Sequence, residues 1–132
     1  MILSQSVLIV DDEQMTRSLL RMMLQREDYR IYEAGDGVEA LTAVHQYRPD
    51  LILLDVMMPN MDGLTVCKRL REDVKTADMP IILLSAKTQS SAIREGLQAG
   101  ADLYLTKPVP RDVLLQNIQE LLPAAAVTAV SH

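Results

Sequence analysis

The chain has no tryptophan and no phenylalanine, and four tyrosines are its only other large aromatics. A flavin sandwiched between aromatic rings therefore has little to stack on. Five glycines in 132 residues form neither a Walker-type phosphate loop nor a dinucleotide fingerprint, so nucleotide binding has no support. The one cysteine, Cys67, excludes an internal disulfide; it fits a reducing compartment and reads as packing. Positive charge is in the minority, with 13 Lys and Arg against 18 Asp and Glu and a net charge of -5. That disfavours direct contact with nucleic acid, which needs clustered cations to neutralise phosphates. The longest apolar runs, Leu51 to Leu54 and Ile81 to Leu84, are too short to cross a bilayer. Met1 to Val10 carries no basic leader and runs into Asp11, Asp12 and Glu13, which points to the cytoplasm.

What is present is the composition of one folded domain, 48% hydrophobic and 23% charged. Short apolar or β-branched stretches at Ser6 to Val10, Arg30 to Ala34, Leu51 to Leu54, Ile81 to Leu84 and Asp102 to Thr106 read as five strands. Between them, Gln14 to Arg26, Gly37 to Tyr47, Leu64 to Arg71, Ser90 to Ala99 and Arg111 to Leu121 place apolar residues at helical spacing. On the first helix the stripe expected to face a sheet is Met15, Leu19, Met22 and Met23; on the last it is Val113, Leu114, Ile118, Leu121 and Leu122. Strict alternation with short connections predicts a doubly wound α/β fold, a parallel sheet covered by helices on both faces. Gly100 is the expected stop of the fourth helix. From Pro123 to His132 an uncharged run rich in alanine reads as a tail or linker stub.

In such a sheet ligands bind at the carboxyl ends of the strands. Asp11 and Asp12 end the first strand, Asp55 follows the third, Ser85 the fourth and Lys107 the fifth. Three carboxylates brought close repel one another unless a cation neutralises them, and an all-oxygen set suits Mg²⁺. The metal keeps waters that a phosphoryl oxygen can replace, and a carboxylate nucleophile with a hydroxyl and an ammonium nearby completes a phosphoryl-transfer site. Asp55, Ser85 and Lys107 fit those three roles. Taken alone, Asp11 and Asp12 read more readily as caps of the following helix than as metal ligands, and Tyr104 is also readable as a half-buried strand aromatic. His45 and His132 have no companion at metal-ligand spacing.

The segments Val7-Leu8-Ile9-Val10-Asp11-Asp12, Leu53-Leu54-Asp55-Val56-Met57-Met58-Pro59, Asp62-Gly63, Ser85-Ala86 and Thr106-Lys107-Pro108 resemble the motifs of bacterial response-regulator receiver domains. The resemblance covers roughly residues 6 to 122 and implies a receiver over 1–122, with 123–132 left as the tail. It implies a five-stranded (βα)5 flavodoxin-like sheet in the order 2-1-3-4-5. It also implies that Asp55 accepts a phosphoryl group from a histidine kinase or a histidine phosphotransfer protein, with Mg²⁺ held by Asp12, Asp55 and the Met57 carbonyl and by Asp11 through water. Lys107 would pair with the phosphoryl group, Ser85 would bond to it, and Tyr104 would rotate as the aromatic switch. The output is a changed face of the fourth helix, fifth strand and fifth helix, read by a downstream partner or output domain. The same resemblance implies a cis bond at Lys107-Pro108, no turnover beyond the chain's own phosphorylation and dephosphorylation, and compatibility with a phosphorylation-dependent dimer.

Departures matter too. Met57 and Lys87 stand where chemotaxis-type receivers carry Asn and Glu, which predicts slower loss of the phosphoryl group here. Leu103, Val113 and Asn117 replace charges that receivers of the winged-helix subfamily use to pair. A phosphohydrolase on a similar sheet would need an acid at position 57, and a flavodoxin-like carrier a hydroxyl-rich loop where this chain is acidic.

Overall fold

The computed structural model describes residues 5–122. The strands are β1 Ser6–Val10, β2 Arg30–Ala34, β3 Leu51–Asp55, β4 Ile81–Ser85 and β5 Leu103–Thr106. The helices are α1 Gln14–Leu24, α2 Gly37–Tyr47, α3 Gly63–Glu72, α4 Ser90–Gln98 and α5 Arg111–Leu121. All pairings are parallel and the sheet order is β2-β1-β3-β4-β5, the doubly wound order expected from the sequence. The tail expected over 123–132 lies outside the described residues.

Alternation along the central strands builds two cores. Leu8, Val10, Ile52, Leu54, Ile81 and Leu83 point to one side, against Ala40 and Val44 of α2 and Val66 and Leu70 of α3. Val7, Ile9, Leu51, Leu53, Ile82 and Leu84 point to the other, against Leu20 and Leu24 of α1 and Leu114 and Ile118 of α5. Because β1, β3 and β4 are covered on both faces, every one of their apolar residues is buried, which is why they read as continuous runs.

Helix α1 departs from expectation. Leu20 and Leu24 make its contact with the sheet and Met23 packs against the same core as expected, while Met15, Leu19 and Met22 are exposed. Two apolar rows lie side by side on this helix, and the row containing the compact leucines faces the sheet. Val113 is likewise exposed on α5. The regular part of α1 stops at Leu24, and Gln25–Glu27 tighten into a 3-10 turn. Asp102 falls outside β5 because its carboxylate is used elsewhere: it accepts from the Ile81 N–H at 2.8 Å and from Arg71 at 3.0 Å.

Arg71, near the end of α3, spends its guanidinium on main-chain oxygens. It donates to Gly100 (2.8 Å), Ala77 (3.0 Å) and Met79 (2.6 Å), fastening the connections that enter β4 and β5 at the end of the sheet opposite the acids. Gly100 stops α4 with φ +113, a conformation that a residue with a Cβ rarely adopts.

Candidate functional site

The carboxyl ends of β1, β3, β4 and β5 bring together the residues singled out from the sequence. The Lys107 Nζ donates to Asp11 Oδ2 and to Asp55 Oδ1, both at 2.9 Å. Asp11 and Asp55 are buried and Asp12 is exposed beside them. Oxygens of all three carboxylates lie within 4.8 Å of one another. Burial pushes the Asp55 carboxyl above its ordinary range; the Lys107 ammonium opposes this, while Asp11 and Asp12 add to it. Burial pulls the Lys107 ammonium down, but its bonds to Asp11 and Asp55 prevail and raise it. These groups offer hard oxygens, crowded like charges and one exposed side, a set that fits a divalent cation with oxygen preference and retained waters.

Neither Asp11 nor Asp12 caps α1. The N-cap is Glu13, which makes no side-chain capping bond. Asp11 Oδ1 instead accepts the Glu13 N–H at 2.9 Å, a local turn that leaves Oδ2 for Lys107. The first turn of α3 constrains Asp55 from behind: Asp62 caps that helix, and the Gly63 N–H donates to the Val56 carbonyl at 2.9 Å. A Cβ on Gly63 would collide with the Asp55 carbonyl oxygen and stand 2.9 Å from the Val56 Cα, so the loop closes this tightly only on glycine.

Ser85 is fully buried, and its Oγ accepts the Lys87 N–H at 3.2 Å. The Lys87 carbonyl in turn accepts the Tyr104 hydroxyl at 2.9 Å. One residue thus joins Ser85 to Tyr104 through its two main-chain groups. The Tyr104 ring lies over Gly96 of α4, where an added Cβ would stand 2.8 Å from the ring. The Lys107–Pro108 peptide is cis, and the Lys107 N–H donates to the Ser85 carbonyl at 2.8 Å. Met57 follows β3 with its side chain exposed, Met58 is buried, and Lys87 is exposed.

Arg17 has no place in the site as read from the sequence. Its side chain is only 18% exposed and reaches back to the Asp11 carbonyl and across to Glu33. Helical spacing gives no hint of this, since Glu33 lies on β2 and Asp11 just past the end of β1.

The chain matches the family model "Response regulator receiver domain" over residues 7–119. It belongs to the response regulator receiver family. The transcriptional regulatory protein ResD of Bacillus subtilis is 46% identical over 124 residues, 93% of this chain and 50% of ResD. The DNA-binding dual master transcriptional regulator RpaA of Synechocystis sp. is 40% identical over 116 residues, 88% of this receiver and 48% of RpaA. The receiver spans about half the length of these relatives. Among solved structures, the Vibrio cholerae chemotaxis protein CheY4 superposes with a TM-score of 0.85 at 34% identity, covering 90% of this receiver and 99% of CheY4. Among the described residues, no helix is long and apolar enough to cross a membrane.

Proposed function

We propose that this receiver takes a phosphoryl group onto Asp55 from a histidine kinase or histidine phosphotransfer protein, with Mg²⁺ held by Asp11, Asp12, Asp55 and the Met57 carbonyl. The observation that carries the reading is the single ammonium of Lys107 bonded at once to Asp11 and Asp55 within a three-carboxylate rim. In the transfer, the donor's P–N bond breaks, a bond forms between phosphorus and an Asp55 oxygen, and the freed imidazole nitrogen takes a proton. Mg²⁺, when bound, supplies charge neutralisation on the transferring oxygens. Lys107 moves from its Asp55 bond to a phosphoryl oxygen, and Asp11 keeps it aimed.

Ser85 exchanges the Lys87 N–H for a phosphoryl oxygen, which disturbs the loop whose carbonyl holds Tyr104. That couples chemistry at Asp55 to the face of α4, β5 and α5, the surface through which the receiver acts on a partner or an attached output domain. The exposed row Met15, Leu19 and Met22 on α1 suits an apolar helix of the phosphodonor. RpaA is named as DNA-binding; this receiver itself, with a net charge of -5, makes no direct DNA contact. A cytoplasmic receiver that catalyses only its own phosphorylation and dephosphorylation completes the reading.

The test is intact mass after incubation with acetyl phosphate, with and without Mg²⁺, for the native chain and Asp55→Asn. A Mg²⁺-dependent gain of one phosphoryl group, absent in the variant, is expected. A gain that persists in Asp55→Asn would move the acceptor elsewhere.

A further inference from the structure

Asp11 is tied at all its polar groups. Its N–H donates to the Ala34 carbonyl at 3.2 Å, Oδ1 accepts from the Glu13 N–H at 2.9 Å, and Oδ2 accepts from Lys107 at 2.9 Å. The remaining group, its main-chain carbonyl, accepts from Arg17 Nη1 at 2.6 Å. That oxygen belongs to the peptide joining Asp11 to Asp12, so the Arg17 bond fixes the peptide plane from which the Asp12 side chain departs. The guanidinium is itself oriented: Arg17 Nε donates to Glu33 Oε1 at 3.0 Å, while Glu33 Oε2 accepts from Arg21 at 2.7 Å. Burial works against ionisation of Glu33, yet its bonds from Arg21 and Arg17 hold the carboxyl below the ordinary range. The start of α1 has no side-chain cap, so this turn is held by the Asp11 Oδ1 bond to the Glu13 N–H and by Arg17.

We infer that Arg17 is a positioning residue for the cation site, holding the Asp11–Asp12 peptide so that the exposed Asp12 carboxylate stays beside Asp55, with Glu33 as the guide of its guanidinium. This rests on the reading of the acidic rim as a Mg²⁺ site. Charge and position act in opposite directions here, which makes the sign of the effect informative. Arg17 is a cation near the site, so Coulomb repulsion alone would have its removal tighten Mg²⁺ binding. Loss of an orienting contact weakens it instead.

The experiment is a MgCl₂ titration of the ¹⁵N-labelled chain, reading amide shifts at Asp11 to Glu13 and at Asp55 and Val56. It compares the native chain with Arg17→Ala, Arg17→Lys, Arg21→Ala and Glu33→Gln. Arg17→Ala is expected to weaken Mg²⁺ roughly tenfold, the scale at which such orienting contacts matter. Arg17→Lys restores part of this, because an ammonium keeps the charge but lacks the rigid fork. Glu33→Gln weakens binding less than Arg17→Ala, and Arg21→Ala, which removes only the second bond to Glu33, weakens it less still. Unchanged or tighter Mg²⁺ binding in Arg17→Ala overturns the inference and leaves Arg17 a structural brace. If that variant does not fold, the Arg17→Lys and Glu33→Gln comparison decides: weaker Mg²⁺ with a native spectrum supports the inference, and native affinity in both overturns it. Absence of Mg²⁺-dependent shifts in the native chain would instead remove the metal reading, and the inference with it.

Discussion

Replacing Lys107 by methionine keeps most of the side-chain volume and removes the ammonium bonded to two of the rim carboxylates. Its Nζ lies 2.9 Å from both Asp11 Oδ2 and Asp55 Oδ1, whose side chains are only 2% and 6% exposed. At an effective dielectric of about 20, each such pair attracts by about 6 kcal/mol. Returning the ammonium to water in the unfolded chain offsets much of that gross sum, and breaking a buried pair typically costs about 3 to 5 kcal/mol net. The residual carboxylates, within 4.8 Å of one another, then repel by about 3 kcal/mol or more per pair. Lys107→Met is therefore expected to lose about 3 to 5 kcal/mol in EDTA. Because ammonium and divalent cation serve the same carboxylates, added Mg²⁺ should stabilise the variant more than the native chain. Adding Asp55→Asn to Lys107→Met should recover much of the loss, since it removes one of the repelling charges. Urea unfolding followed by far-UV circular dichroism suits a chain without tryptophan. A loss below about 1 kcal/mol in EDTA, well short of the broken-pair range, would refute the reasoning. So would a loss of equal size with and without Mg²⁺.

Gly63→Ala should destabilise the receiver by about 1 to 3 kcal/mol, the usual cost of overpacking, and lower the yield of the acetyl phosphate adduct by displacing Asp55; thermal unfolding and intact mass read the two effects. His45 faces two acceptors, the Leu41 carbonyl at 2.9 Å and Asp73 Oδ2 at 3.0 Å, so the doubly protonated ring suits its site and its pKa is raised, by the carbonyl first and Asp73 second. A raised histidine contributes stability that is present below its unfolded pKa and lost as pH rises through the folded one. His45→Gln should accordingly flatten the decline in urea midpoint between mildly acidic and mildly alkaline pH, and a native profile in that variant would exclude the pair as its source. On the expectation that Met57 and Lys87 take the positions held by Asn and Glu in chemotaxis-type receivers, the phosphoryl group should persist well beyond seconds in mass spectra taken after the donor is removed. Met57→Asn with Lys87→Glu should shorten its life.

Much of the site was legible because its members sit at strand ends, and strands buried on both faces announce themselves as apolar runs. Asp55 closes Leu51–Asp55, Ser85 closes Ile81–Ser85, and Lys107 follows Leu103–Thr106. The parallel order then aligns those ends on one rim. The orientation of α1 was not legible. Its two apolar rows have similar spacing, and only packing against α5 and the sheet chooses Leu20 and Leu24 over Met15, Leu19 and Met22. Arg17 escaped for a related reason: its partners are a carbonyl 6 positions back and a carboxylate 16 positions on, and neither separation belongs to a helical repeat. Whether Asp11 caps or faces the rim is likewise decided by Lys107, 96 residues away.

Arg71 is the still point of this molecule. By clamping the entries to β4 and β5 through Gly100, Ala77, Met79 and Asp102, it makes one end of those strands a fixed anchorage. A lever delivers work only when one end is pinned. Under the proposed switch, with the far ends of β4 and β5 held by Arg71, movement started at Ser85 would be taken up beyond their carboxyl ends and in α4, where only Gly96 is buried, rather than by sliding the strands along the sheet. Mutating a residue far from the acids can on this view blunt the signal while leaving its chemistry intact.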